Sequence, residues 1–224
     1  MAPTVYYGDF VHSISLTELE YLHHGLLCVS EHGIIEWVLR DVEGSLVQQR
    51  LADMGLTVED VEMVELAEGE FICPGLVDTH TGSRQVFLSL LSRIGIDYRQ
   101  VGLGTDCSGG YSLGILSAVR QASNVSKTLA FTPPLDDKKP LSIPTLFHMA
   151  TLGGASLCRL QDRIGNFTPG KEFDALRILP KSPGMWVEEG ERLESVFEKW
   201  LFTGDDRDLK SVWVRGTQVG GWSL

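Results

Sequence analysis

Two residues with metal-binding side chains stand where apolar runs stop. His80 follows Pro74-Gly75-Leu76-Val77-Asp78-Thr79, and Asp106 closes Val101-Gly102-Leu103-Gly104-Thr105. An apolar strand ending in Asp-Thr-His reads as the first strand of a metal-dependent hydrolase barrel, with a histidine ligand at its C-terminal tip. Sites of that kind carry a second histidine two residues on, and here that position is Gly82. The 101–106 run reads as the last strand of the same kind of barrel. The beginning and the end of an active site are present in the sequence without its middle.

The elements that must hold these residues follow from periodicity and turn chemistry. Val5 to His12 reads as a strand with Val5 and Tyr7 on one side, and 25–29 and 34–39 as two more strands. Ser30-Glu31-His32-Gly33 is the turn between those two, Gly33 supplying a positive φ. Val61 to Leu66 is a further strand, and a short helix is expected near 48–54. At the far end 173–179 is expected as a strand, and 211–215 with 218–219 as a hairpin across Gly216-Thr217. Leu193, Val196, Phe197, Trp200 and Leu201 recur at helical spacing and mark 191–203 as an amphipathic helix closed by Gly204. The middle is α/β: strands at 71–78 and 100–106, and helices at 83–94, about 111–126 and 143–158. Gly109-Gly110 is expected to open the second of these helices. The proline-rich stretch 132–144 is expected as an exposed loop.

With 224 residues, of which 43% are hydrophobic, the chain can build one or two packed domains. A net charge of −11 and a pI near 4.9 argue against binding a nucleic-acid backbone. No run of 18 apolar residues is present to span a membrane, and the N-terminus lacks the pattern of a secretory signal. Cys28, Cys73, Cys107 and Cys158 have no CxxC spacing and read as reduced core thiols, so the expected location is cytoplasmic.

The stretches GLGTDCSGGYSLGILSAVRQASNVSK (102–127), MATLGGASLCRL (149–160), IGNFTPGKEFDALRI (164–178) and WLFTGDDRDL (200–209) occur in this order. With the Asp-Thr-His strand they make the chain resemble the amidohydrolase superfamily, and within it the guanine deaminases. These are zinc enzymes of purine catabolism that hydrolyse guanine to xanthine and ammonia. The resemblance implies a TIM-type barrel and a β-sandwich assembled from both chain ends. Here that becomes an α/β fold with a composite β-sandwich and a truncated barrel remnant. The corresponding domain bounds are 1–70 and 164–224 for the two parts of the sandwich and 71–163 for the remnant.

A TIM barrel is typically about 250 residues, whereas Phe71 to Leu160 spans 90. By that comparison roughly 150 or more residues are lacking. With them go the family's later histidines, its general acid/base glutamate and the side chains that read the purine. By position, the resemblance makes His80 and Asp106 the surviving metal positions, with Asp106 also the group that takes the proton of the attacking water. The implied cofactor is zinc, one per subunit if the site is functional. A catalytic zinc takes three protein ligands and an open position, so two are one short. Joining first strand to last strand with the helix outside also demands a left-handed crossover, against the right-handed rule. The remnant must adopt that rare topology or move its last strand.

Each candidate has a plainer alternative. Asp106, before Ser108-Gly109-Gly110, reads equally as a helix cap, and His80 as a polar strand end. A substitute site using Cys73 and Cys107 is disfavoured because Cys107 would face away from Asp106. His12, His23, His24, His32 and His148 read as exposed or hydrogen-bonded histidines, and Glu59, Glu62 and Glu65 as a solvated face. Gly102, Gly104, Gly109 and Gly110 lack the G-x-G-x-x-G spacing of a dinucleotide site. Gly153-Gly154 reads as a helix packing point.

Three functional readings remain. One is a shortened guanine deaminase-like chain with little or no activity, whether a splice form, a gene-model error or a decayed copy. Another is a non-catalytic assembly module, forming a homo-oligomer or associating with an intact relative. The third is a minimal enzyme with zinc shared across subunits, acting on guanine.

Overall fold

The structure is a computed structural model that describes residues 2–79, 101–107, 109–110, 112–132 and 139–222. It divides into two compact units. One comprises Met1–His12, Glu20–Gly75 and Asn166–Leu224, and the other Ser13–Leu19 and Leu76–Gly165.

The first unit is built on an eight-stranded mixed sheet. Its strands are β1 (Thr4–Ser15), β2 (Glu18–Val29), β3 (Ile35–Leu39), β4 (Glu62–Glu65), β5 (Phe71–Pro74), β6 (Ala175–Ile178), β7 (Leu209–Val214) and β8 (Thr217–Gly220). The order is β3-β2-β1-β5-β6-β7-β8, with β4 also paired to β1. β1 runs parallel to β4 and β5, and the remaining registered pairs are antiparallel. β5 is the splice between the chain ends: Phe10 pairs with Ile72 on one side, and Ile72 pairs with Arg177 on the other.

One core of this unit draws on both chain ends and the other on the N-terminal end alone. Alternate residues of β1 and β2 point to opposite sides, as the strand period requires. Tyr6, Phe10, Leu27 and Val29 join Ile35, Ile72, Phe173, Ala175 and Trp213 in one core. Val5, Leu26 and Cys28 join Val42, Leu51 and Val61 in another, with Tyr7 packed against it. Helix α1 (Val47–Asp53) supplies Leu51 to the second core. Aromatic rings dominate the first, Tyr6 stacking on Phe173 at 4.9 Å and meeting Trp213 edge-on at 5.5 Å. The amphipathic helix expected over 191–203 is present as Leu193–Thr203, with its five periodic residues all buried.

The turn before β3 locks against the hairpin after β7. Gly33 has φ +76, its carbonyl accepts from the Phe173 amide at 2.7 Å, and a Cβ there would lie 1.9 Å from the Arg215 carbonyl oxygen. Backbone, not a movable side chain, blocks the space. Gly33→Ala therefore costs about 3–5 kcal/mol, left-handed strain and overpacking combined. Thermal melting of the variant checks this, and an unchanged midpoint rules it out.

The second unit carries three helices among its described residues: α2 (Ile115–Ala130), α3 (Ile143–Ala150) and α4 (Leu152–Leu157). Ile115, Ala118, Val119, Ala122 and Ser123 form the buried stripe of α2. That helix opens at Gly114, not at Gly109-Gly110. The helix expected across 143–158 is two helices, because Thr151 leaves helical geometry (φ −128, ψ −98) while its hydroxyl donates to the Phe147 carbonyl at 2.7 Å. Ser142 caps α3 and Pro144 sits in its first turn, where a missing amide hydrogen costs little, so the loop before it stops short of residue 144. Gly154 does serve as a packing point, a Cβ there falling 3.0 Å from the Val77 Cβ. The helix expected over 83–94 lies outside the described residues.

Candidate functional site

The strand expected over 71–78 is regular only through Pro74, and 101–106 is not a regular strand. The segments that precede the two candidate residues are nevertheless tied together within the second unit. The Thr79 amide and hydroxyl both donate to the Leu103 carbonyl, at 3.1 and 3.0 Å. Thr105 donates its amide to Asp78 Oδ1 at 3.1 Å and its hydroxyl to Asp78 Oδ2 at 2.5 Å. Val77 is held in turn by the Ala150 carbonyl, to which its amide donates at 2.8 Å. The close approach needs Gly102, where a Cβ would meet Thr79 Cγ2 and Leu157 Cδ1 at 2.7 Å each.

Asp106 follows directly, half-buried and with φ +49. Among non-glycine residues, aspartate is one of the few that adopts this left-handed conformation readily. The turn beyond it closes on its carbonyl, which accepts from the Gly109 amide at 2.9 Å and the Gly110 amide at 2.5 Å. Asp106 is not the helix cap that its sequence context offered: its carbonyl closes a local turn, and α2 begins further on at Gly114. His80 lies outside the described residues.

The thiols divide differently from the sequence expectation. Cys28 and Cys73 are buried, whereas Cys107 and Cys158 are exposed, and all four are free. Cys73 lies inside β5, where burial pushes its thiol far above the usual range; Cys28 is pushed up to about 12 by burial and by Glu36. A buried thiol held protonated is a poor zinc donor. Among the described residues no group of three or more His, Cys, Asp and Glu side chains is placed to hold a metal ion. The described donors therefore do not by themselves make up a three-ligand zinc centre.

Two of the remaining histidines are hydrogen-bonded inside the protein. His12 Nδ1 accepts from the Phe167 amide at 3.3 Å, which assigns the ring proton to Nε2, 2.7 Å from a Glu20 oxygen. Arg40 donates to the same carboxylate at 2.7 Å. His148 Nδ1 lies 2.9 Å from the Ser13 hydroxyl. Burial lowers the pKa of both rings, for His12 against the opposing pull of Glu20. Glu59, Glu62 and Glu65 are exposed, as expected of a solvated face.

Two ionic features escaped the sequence reading. Glu70 is 2% exposed and is held by Arg177 of β6 and by Lys210 of β7. The signal for it was Arg177 itself: an arginine inside an otherwise apolar strand requires a buried counter-charge. Asp78 is the other, and its signal was a hydroxyl residue at 105 immediately before the candidate carboxylate.

The family model for the amidohydrolase family matches residues 83–219, more than half of the sequence. The chain belongs to the amidohydrolase family. Within the family it is similar to guanine deaminases. It is 41% identical over 126 residues to the enzyme of Mus musculus, covering 54% of this chain and 27% of that protein. To the guanine deaminase of Escherichia coli it is 32% identical over 123 residues, covering 54% of this chain and 26% of that protein. In sequence, then, the match spans about a quarter of the length of these relatives.

The structural likeness runs further. The E. coli guanine deaminase superposes with a TM-score of 0.70 at 13% identity, over 99% of this chain and 100% of that one. The guanine deaminase of C. acetobutylicum, solved with guanine bound in its active site, gives 0.61 at 10% identity, over 97% and 100%. At these identities the superpositions establish the fold: an amidohydrolase-type α/β architecture with a mixed sheet. No helix among the described residues is long and apolar enough to cross a membrane.

Proposed function

We propose that this chain is a guanine deaminase-like amidohydrolase in shortened form, retaining the two flanks of the deaminase pocket and turning over guanine little or not at all. In this reading His80 and Asp106 descend from metal positions, and Asp106 also from the group that moves the water's proton. The joined chain ends descend from the family's β-sandwich and 71–163 from its barrel. The observation that carries it is a shortage of chain. Phe71 to Leu160 spans 90 residues, where a barrel of this type takes about 250. The switch from Thr81 to Gly82, where a second histidine is expected, supports the same point. The test is guanine consumption and zinc content of the purified 224-residue protein. Stoichiometric zinc together with turnover comparable to an intact guanine deaminase would overturn the proposal.

A second reading is favoured by one specific feature. Leu113 and Phe131, on either side of α2, are 79% and 78% exposed. Large apolar side chains left bare in this way suit a non-catalytic module that assembles with itself or with an intact relative. Mass in solution, alone and mixed with a full-length guanine deaminase, decides it. A strictly monomeric protein that does not co-elute with the relative excludes this role.

A further inference from the structure

We infer that Asp78 is the positioning residue of this site: its carboxylate clamps Thr105 and thereby sets the backbone from which Asp106 projects. The inference rests on the proposed role of Asp106 and deepens it. In the family resemblance only the histidine and the last aspartate carry chemistry. The geometry gives the preceding Asp78 a separate task.

Four observations carry the argument. Both carboxylate oxygens of Asp78 accept from Thr105, the hydroxyl at 2.5 Å and the amide at 3.1 Å. Thr105 is 3% exposed, so its polar groups have little water to replace that partner. No β-ladder joins 76–79 to 101–106, so the register between these segments rests on the Asp78–Thr105 and Thr79–Leu103 bonds. Beyond the clamp the chain turns at once: Asp106 is left-handed, and a Cβ on Gly110 would lie 1.9 Å from the Thr105 carbonyl oxygen. A segment pinned at Thr105 and folded back at Gly110 leaves Asp106 little freedom to move between them. A two-oxygen acceptor is what the clamp needs, because an amide in its place would aim a donor at one of the two Thr105 hydrogens.

The test uses the intact chain and reads no turnover. In Asp78→Ala, hydrogen exchange at the Thr105, Gly109 and Gly110 amides is expected to accelerate about ten- to a hundredfold, the range set by loss of bonds to a charged acceptor. Amides of the eight-stranded sheet keep their wild-type rates. The Asp106 Cα and Hα chemical shifts are expected to leave the left-handed range, a change that general loosening of the fold does not produce alone. Thr105→Ser keeps the hydroxyl and the amide and is expected to retain both readouts, whereas Thr105→Val loses the hydroxyl bond and part of the protection. If Asp78→Ala does not fold, Asp78→Asn and Thr105→Val give the same readouts with milder change. Unaltered exchange at 105–110 with unaltered Asp106 shifts, or a uniform rise over the whole chain, would sink the clamp. Neither result depends on guanine or zinc, so the clamp can fail while the shortened-deaminase proposal stands, and the reverse.

Discussion

Supplied with zinc and assayed beside a full-length guanine deaminase, the purified chain is expected to consume guanine at least about 10⁴-fold more slowly, the upper range of what a positioned general acid/base contributes. Two independent shortfalls lie behind the figure. The first is donor count. Gly82 has no side chain to offer where a second histidine is expected, and Cys73 is a buried protonated thiol. The second is proton traffic, because a base needs an activated water to act upon, and no glutamate of this chain matches the family's acid/base position. The exposed Glu59, Glu62 and Glu65 belong to the sheet-bearing unit and face solvent. The two shortfalls separate experimentally. Gly82→His restores a His-x-His spacing and is expected to raise zinc retained after gel filtration while leaving guanine turnover at the same low level. Full activity of the unmodified chain refutes the whole account. Recovery of activity in Gly82→His refutes the part that assigns the loss to proton transfer.

How legible this was in the sequence differs between the two units, for physical reasons. Turns at Gly33 and at Gly216-Thr217 punctuate the first unit, so β1, β3, β4, β6, β7 and the hairpin to β8 could be placed within a few residues. The joining of the two chain ends came only from the family resemblance, because it rests on non-local pairs such as Ile72 with Arg177 that leave no local trace. In the second unit, apolar runs before His80 and Asp106 promised two strands. The structure instead holds 75–79 and 101–106 by side-chain and isolated backbone bonds. An apolar run reports burial, and burial alone does not distinguish a ladder from an irregular segment pinned among helices. Thr151 shows the same limit: a helical pattern continued through it, and only its hydroxyl bond to Phe147 reveals the break. Asp106 drew attention because its residue type and position could carry chemistry. Asp78 was passed over because its importance lies in which atom it reaches.

The largest stability effect expected from a single ionic residue is at Glu70. Its side chain is fully buried and accepts from the Ala67 amide at 3.0 Å, from Arg177 through two nitrogens and from Lys210 at 2.5 Å. Arg177 also donates to the Glu65 carbonyl at 3.1 Å, so the group fastens the end of β4 to β6 and β7. Glu70→Ala leaves Arg177 in the interior without its counter-charge and strips the acceptor from the Ala67 amide. The cost is about 3–5 kcal/mol, the range for breaking a buried pair by removing one partner. Glu70→Gln keeps the shape and one acceptor and is expected to fall between. Acid dependence gives a second check with a definite sign. Burial pushes the Glu70 carboxyl up, but the hydrogen bonds from Lys210, Arg177 and Ala67 outweigh it and hold the pKa below the ordinary 4.5. A depressed folded-state pKa gives stability that is present above 4.5 and is lost as pH falls from there through the folded value. His12, its pKa depressed by burial from 6.5, has the same sign in a higher window: its contribution starts to erode as pH falls below 6.5. Denaturant midpoints measured across pH should therefore decline in two stages in the wild type. In Glu70→Ala the later stage is expected to shrink, because Glu20, Asp60, Glu191 and Glu194 also have lowered pKa values and still contribute to it, while the earlier one persists. A variant that loses less than about 1 kcal/mol, within the range of a surface ion pair, would show that water already screens this cluster.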